Sequence, residues 1–315
     1  MRRALELAAR GPATGPNPRV GCVLLDASGT VRAEGFHAGA GTPHAEVAAL
    51  RALAGPAAGM TAVVTLEPCA HTGRTAPCTG ALLDAGVTRV VVAAADPNPR
   101  AAGGAAVLRG AGVDVEVGVL AAEAERLNER WGTAVGRGRP WVTWKWASTL
   151  DGRAAAADGS SRWITGRAAR ADVHRLRAAH DAVLVGTGTA LADDPALTVR
   201  ADGADVPGRQ PLRVVLGHRD LPVGSRLLDA RAETLHLRTH DPRAALQALA
   251  AEEVRTVLLE GGPTVAAAFW RAGLVDEVVC YLAPALLGAG APAVGDLGVG
   301  AMPDIAPTPR SPTAG

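Results

Sequence analysis

The stretch Ala62-Val-Val-Thr-Leu-Glu-Pro-Cys-Ala-His-Thr-Gly-Arg-Thr-Ala-Pro-Cys78 decides how the first half of the chain is read. It opens on a short β-branched run, Ala62–Leu66, that reads as a strand. Pro68-Cys69 follows directly, and Cys78 stands just before Thr79–Ala85, which reads as a helix. The alternation continues outward on both sides. Upstream, Val20–Leu25 and Val31–Phe36 read as strands and His44–Leu53 as a helix. Downstream come strand Arg89–Ala95, helix Ala102–Gly110, strand Val113–Val119 and helix Ala121–Trp131. Strands alternating with helices predict an α/β domain. Gly132-Thr-Ala-Val-Gly-Arg-Gly-Arg-Pro140, with its glycines and closing proline, is the best candidate for its end.

The second half repeats the style without repeating the sequence. Strands are expected near Trp141–Trp146, Asp181–Val185, Leu212–Leu216, Thr234–Leu237, Thr256–Leu259 and Glu277–Leu282. Helices are expected at Arg167–Ala179, Pro242–Ala251 and Pro263–Ala272. This pattern predicts a largely parallel sheet, which binds ligands beyond the carboxyl ends of its strands. From Met302 onward the chain is proline-rich without periodicity and is expected to be disordered. The 315 residues therefore divide into a first domain at 1–138, a second at 139–301 and a tail at 302–315, each domain long enough to bury a core.

Composition narrows the partners. Thirty-two Lys and Arg against 31 Asp and Glu leave a net charge of +1, which provides no footprint for nucleic acid or a membrane surface. Nine aromatic residues, six Trp, one Tyr and two Phe, offer little for stacking bases, which argues against a polynucleotide substrate. No apolar run reaches the length that crosses a bilayer. Met1–Arg10 reads as the start of an amphipathic helix, not a signal peptide. A cytoplasmic protein with a small partner is expected. Four cysteines make no disulfide framework, and Cys22 and Cys280, inside apolar runs, read as small buried hydrophobes.

Cys69 and Cys78 read differently, because His44-Ala45-Glu46 opens a nearby helix. One imidazole and two thiolates leave the fourth tetrahedral position of a zinc ion open, as catalysis requires. Two thiolates cancel the charge of the metal, so a separate base is needed. Glu46, two residues after the ligand, can take a proton from water and return it to a leaving amine. Taken singly, a His at a helix start is a cap or surface residue and a Cys after a strand is core. Joined as His-x-Glu, then Glu-Pro-Cys, then a second Cys before a helix, they form the zinc deaminase pattern. The Cys-to-Cys gap holds eight residues where nucleobase deaminases usually have two. That loop carries His71 and Arg74, which suits a phosphorylated substrate.

At this length of match the residues resemble a family. Pro16-Asn17-Pro18-Arg19-Val20-Gly21, His44-Ala45-Glu46-Val47, Thr65–Cys78 with its long gap, and Asp96-Pro97-Asn98-Pro99 resemble the deaminase half of the bifunctional riboflavin-biosynthesis deaminase/reductases. Lys145–Arg153, Ser161–Gly166, Leu191–Arg200 and Leu259-Glu260-Gly261-Gly262 look like its reductase half. The resemblance runs from Arg2 to about Leu287. It implies a cytidine-deaminase-like α/β/α domain followed by a dihydrofolate-reductase-like α/β domain. It also implies zinc and NADPH as cofactors, a small phosphorylated pyrimidine as substrate, and assembly as a homo-oligomer through the reductase domain. His44, Cys69 and Cys78 become zinc ligands and Glu46 the proton shuttle. Asn17, His71, Arg74, Asp96 and Asn98 become candidates for holding base, ribose and phosphate.

Hydride transfer needs orientation of a cofactor that carries its own chemistry, so no lone catalytic motif is expected in the second half. Gly186-Thr187-Gly188-Thr189 lacks the third glycine of a dinucleotide fingerprint and reads as a tight turn. Glu260-Gly261-Gly262-Pro263-Thr264 is more informative, since two glycines before a helix-starting proline bring free amides to an anion. By resemblance the cofactor contacts are Ala147, Trp163, Thr189, Asp193 and the run Gly262, Pro263, Thr264, Val265, Ala266, Ala267 and Ala268. The substrate contacts are Ser161, Arg177, Leu197, Arg200 and Glu260, with Arg177 and Arg200 as anchors for a sugar phosphate. The residues alone do not separate NADPH from NADH. The family continues past Ala283–Gly288 into further sheet elements, where this chain has its proline-rich tail. A deaminase with a degenerate second domain is therefore an alternative, and a noncatalytic metal- or nucleotide-binding module is another, against which the presence of Glu46 argues.

Overall fold

The computed structural model describes residues 1–71, 76–305, 307 and 308. Two compact units divide the chain, Met1–Arg137 and Gly138–Gly315.

The first unit runs α1 (Arg2–Ala8), β1 (Gly21–Leu25), β2 (Val31–Phe36), α2 (Ala45–Ala52), β3 (Thr61–Leu66), α3 (Cys78–Asp84), β4 (Arg89–Ala94), α4 (Gly104–Gly110), β5 (Asp114–Val117), α5 (Ala121–Leu127) and α6 (Glu129–Arg137). Its sheet has the order β2-β1-β3-β4-β5. β1 is antiparallel to both neighbours, and β3, β4 and β5 are parallel. Alternate residues of a strand face opposite ways, and the core follows that rule. Cys22, Leu24, Val64, Val90 and Val92 meet Ala45 and Ala49 of α2, Leu82 of α3 and Leu108 of α4. Val23 and Val63 meet Ala4 and Leu7 of α1 on the other face. Helices of seven residues such as α1, α3 and α4 are too short to persist alone. Burial holds them, at about 1.5–3 kcal/mol for each large apolar side chain. Gly104 lets α4 come close: a Cβ there would sit 1.7 Å from the Pro68 carbonyl oxygen.

The second unit runs β6 (Trp141–Thr149), α7 (Arg167–Ala178), β7 (Ala182–Gly186), α8 (Thr187–Asp193), β8 (Arg200–Ala201), β9 (Ala204–Asp205), β10 (Leu212–Leu216), β11 (Thr234–Leu237), α9 (Pro242–Ala251), β12 (Thr256–Leu259), α10 (Pro263–Arg271) and β13 (Glu277–Ala283). Six strands form one sheet in the order β11-β10-β7-β12-β6-β13, and every pairing in it is parallel. Both faces are covered, as parallel sheets require. Val142, Leu184, Val214 and Val257 pack with Leu246 and Leu249 of α9 and Phe269 of α10. Val183, Val185, Val215 and Leu258 pack with Ala190 of α8 and Leu197. A fully buried arginine, Arg213, closes the turn after β10 by donating to the carbonyls of Arg226, Asp229 and Ala232 and to the Asp229 carboxylate.

Several local expectations need correction. The glycine-rich stretch from Gly132 is helix as far as Arg137, and the expected helix Ala121–Trp131 breaks at Asn128 into α5 and α6. Gly186–Thr189 is not a bare tight turn, because α8 begins at Thr187. Cys280 is exposed, unlike Cys22, because it lies on the edge strand β13. In the segment expected to be disordered, Met302–Asp304 forms a 3-10 turn. Residues 306 and 309–315 of that segment, and Arg74, lie outside the described residues.

Candidate metal centre and the cleft of the second unit

His44 is the N-cap of α2, which sets its backbone extended and turns its ring toward the ends of β3 and α3. Cys69 follows β3 through Glu67-Pro68, and Cys78 is the first residue of α3 after Pro77. Their ligand atoms all lie within 4.8 Å of one another. His44 Nδ1 is 3.2 Å from Cys78 Sγ and 3.7 Å from Cys69 Sγ. Zinc bonds of about 2.0–2.3 Å in a tetrahedron separate nitrogen and sulfur ligands by roughly 3.6 Å. The spacing and the nitrogen–sulfur donor set therefore fit zinc.

The electrostatics agree. The Cys69 thiol lies well below the usual thiol range, because it accepts from the Cys78 side chain, the His44 ring and the Cys78 amide at 3.3 Å. Cys78, the donor of the sulfur pair, is correspondingly pushed up. Glu46 sits in the first turn of α2, 3% exposed. Burial pushes its carboxyl up from 4.5, which favours a group that holds and passes a proton.

The flanking loops supply polar groups. Asn17 Nδ2 lies 2.8 Å from His37 Nε2, and His37 Nδ1 lies 3.0 Å from the Pro43 carbonyl oxygen. The carbonyl can only accept, so Nδ1 carries the hydrogen and Nε2 accepts from Asn17. Burial also holds the His37 ring below its ordinary value. Asp96 is pushed up to about 6, by burial first and then by Glu67 and Cys69. Its carboxylate caps Asn98, whose own side chain accepts from the Arg100 amide. The turn then packs Ala101 against both cysteines. His71 is exposed beside this turn. His37 escaped the sequence reading: one histidine after a strand gives no spacing signal, although it precedes His44 by a single loop.

In the second unit a cleft of about 1330 Å³ lies against α7 and α8. Ala147, Ser161, Trp163, Thr189, Asp193 and Leu197 line it, as do Arg177, Arg200 and Glu260. The run from Gly262 to Ala268 is not part of its wall, but Gly262 N donates to Thr189 Oγ1 at 3.1 Å, so the turn abuts it. Gly262 caps α10 and Pro263 opens it. The side chains of Ala266 and Ala267 are buried, whereas Thr264 is exposed, so the backbone and Thr264 of that turn are open to a ligand.

Arg177 is also engaged within the protein. Its Nε and Nη2 donate to Glu260 at 2.6 and 3.0 Å and its Nη1 donates to the Thr198 carbonyl at 3.0 Å. The fork that the resemblance assigns to a sugar phosphate pairs with Glu260, which the resemblance also assigns to the substrate. Arg200 keeps a buried Nε with no protein partner. Lys145, 3.8 Å from Glu260, and Arg170, 4.5 Å over the Trp163 ring, also line the cleft and were not singled out in the sequence. Isolated cations lack a spacing signal.

A zinc-binding deaminase centre followed by a parallel-sheet unit with a large basic cleft defines a class, the two-unit deaminase–reductases. Family models agree: the cytidine and deoxycytidylate deaminase zinc-binding region matches residues 1–94 and the RibD C-terminal domain matches 140–307. The riboflavin biosynthesis protein RibD of Mycobacterium tuberculosis (strain ATCC 25618 / H37Rv) is 53% identical over 289 residues, covering 91% of this chain and 84% of its own. A solved structure of Acinetobacter baumannii RibD is 42% identical, with a TM-score of 0.86 over 96% of this chain and 90% of its own. A diaminohydroxyphosphoribosylaminopyrimidine deaminase/5-amino-6-(5-phosphoribosylamino)uracil reductase from Thermotoga maritima is 35% identical, with a TM-score of 0.80 over 95% and 91%. The chain belongs to the RibD family of riboflavin biosynthesis proteins. It is a bifunctional enzyme, a zinc-dependent deaminase and an NADPH-dependent reductase, and the deaminase-only alternative is not favoured.

Proposed function

We propose that residues 1–138 deaminate 2,5-diamino-6-(5-phosphoribosylamino)pyrimidin-4-one to the corresponding uracil and that residues 139–301 then reduce the ribosyl group to a ribityl chain. The observation that carries this reading is the convergence of His44, Cys69 and Cys78 beside a buried carboxylate that stays off the ligand set. Zinc, when held by those three residues, supplies a Lewis acid that makes water nucleophilic near neutral pH. Glu46 takes the proton from the attacking water and delivers it to the departing amine. Asn17, His71, Arg74, Asp96 and Asn98 hold base, ribose and phosphate. The neutral His37 supports this role for Asn17 by fixing its amide.

NADPH, when bound, supplies the hydride. Ala147, Trp163, Thr189, Asp193 and the amides from Gly262 onward orient it, with the helix start of α10 facing its phosphates. Ser161, Arg177, Leu197, Arg200 and Glu260 receive the sugar phosphate, and Arg177 also keeps Glu260 ionised. Incubation with the diaminopyrimidine phosphate, with and without NADPH, tests both halves. Ammonia should appear in both samples and the ribityl product only with NADPH. NADPH oxidation on the undeaminated substrate would contradict the order.

A homo-oligomer built through the second unit is supported by β13, an edge strand with Leu282 62% exposed, since unpaired edges invite pairing. A cytoplasmic setting is supported by four free cysteines, as expected of a reducing compartment. No helix among the described residues is long and apolar enough to cross a membrane. The net charge of +1 supports a reading without nucleic acid.

A further inference from the structure

We propose that Asn128 and Trp131, at the junction of α5 and α6, are positioning residues for deamination that act through the loop carrying Asn17. The inference rests on the reading that Asn17 touches the substrate. Neither residue falls in the zinc-binding region matched at 1–94. The buried Asn128 amide accepts from Arg19 N and donates to Arg19 O, both at 2.8 Å. Its side chain thus pairs with both backbone polar groups of one residue, as a neighbouring strand would. Trp131 Nε1 donates to the Pro16 carbonyl at 2.9 Å, and its ring packs with Leu66, Val20 and Ala124. Pro16-Asn17-Pro18-Arg19 is therefore gripped on both sides of Asn17.

From there the contacts run toward the metal site. Asn17 meets His37, His37 donates to Pro43, and Pro43 precedes His44, whose ring meets that of His37 edge-on at 5.4 Å. Gly132 of the same helix faces Pro97: a Cβ there would lie 3.6 Å from the proline ring. One helical junction thus backs both the 16–19 and the 96–99 loops. Side-chain amides matched to backbone in this way fix position more than they add affinity, and a misplacement of about 1 Å in a binding group can cost roughly 100-fold in rate.

Three variants of the full-length enzyme test this: N128A, W131F (which keeps the ring and loses the donor) and N17A, with the N17A/N128A double variant. Each is assayed for ammonia release, zinc content and NADPH-dependent reduction of separately supplied deaminated product. N128A and W131F are expected to lower kcat/KM for ammonia release by about 10–100-fold, with zinc content and reduction unchanged. The double variant should be no worse than the worse single one, because Asn128 works through Asn17. Full deamination by N17A overturns the reading that Asn17 touches the substrate, and this inference with it. An impaired N17A beside fully active N128A and W131F overturns the inference alone. Multiplying effects in the double variant also overturn it, as does a loss of ammonia release that tracks a loss of zinc, since Asn128 would then hold the fold and not the loop.

Discussion

Arg177 and Glu260 form a two-point ion pair, with Nε 2.6 Å from Oε1 and Nη2 3.0 Å from Oε2, and neither side chain is more than 11% exposed. Glu260 follows β12 at the carboxyl edge of the parallel sheet and Arg177 reaches it from α7. The Glu260 carboxyl is held down to about 2 despite burial, which alone would raise it, because Arg177 and then Lys145 stabilise its charge. The pair keeps a negative charge fixed in the reductase cleft.

The sign of the pH dependence follows. Glu260 is depressed in the folded state from its ordinary 4.5 to about 2. Its contribution is complete above pH 4.5 and is lost as pH falls toward 2, amounting to about 3 kcal/mol. Urea unfolding of E260Q followed against pH should show a shallower loss of stability across that window than the parent. An identical slope would mean the pair is not what titrates.

Breaking the pair from the other side leaves a buried carboxylate with Lys145 and His174 nearby but without its two-point partner. R177M is expected to lose about 3–5 kcal/mol of stability and most NADPH-dependent reduction, while ammonia release persists. Paired assays of the two half-reactions check this, and wild-type reduction by R177M would rule out the positioning role of Arg177.

Gly104 lies against the Pro68 carbonyl, one residue before Cys69, where an added Cβ would approach to 1.7 Å. Backbone must move to admit a methyl group there. G104A should lower stability by about 1–3 kcal/mol and weaken zinc retention under a chelator, read by thermal unfolding and metal analysis. Unchanged retention would show that the cysteine loop is set independently of α4.

Chelation of the wild-type enzyme should separate its halves. Stripping zinc is expected to abolish ammonia release and to leave reduction of supplied deaminated product intact, with ammonia release restored on adding zinc back. Loss of both activities would contradict the assignment of the metal to the first step alone.

Much of this architecture was legible in sequence because it rests on period and punctuation. β10, β11, β12 and α9 fall where their apolar runs and the opening Pro242 place them. The metal residues were legible because three chemically unusual residues share a spacing. What escaped is what tertiary contact decides. Gly132 and Gly136 read as linker, yet α6 carries both, docked by Trp131 on the first unit and by Asn128 on the Arg19 backbone. Cys280 sits in an apolar run, but its exposure depends on β13 being an edge strand, which pattern alone does not reveal. Arg177 was recognisable as a fork, but its pairing with Glu260 depends on the fold bringing α7 to the end of β12.

The most direct test of the deaminase centre is replacement of its free carboxylate. Glu46→Gln preserves size and leaves His44, Cys69 and Cys78 in place, so the purified variant should bind one zinc per chain and reduce supplied deaminated product normally. Its ammonia release should fall by about 100-fold or more. Normal ammonia release with zinc bound would remove Glu46 from the proton path and contradict the account.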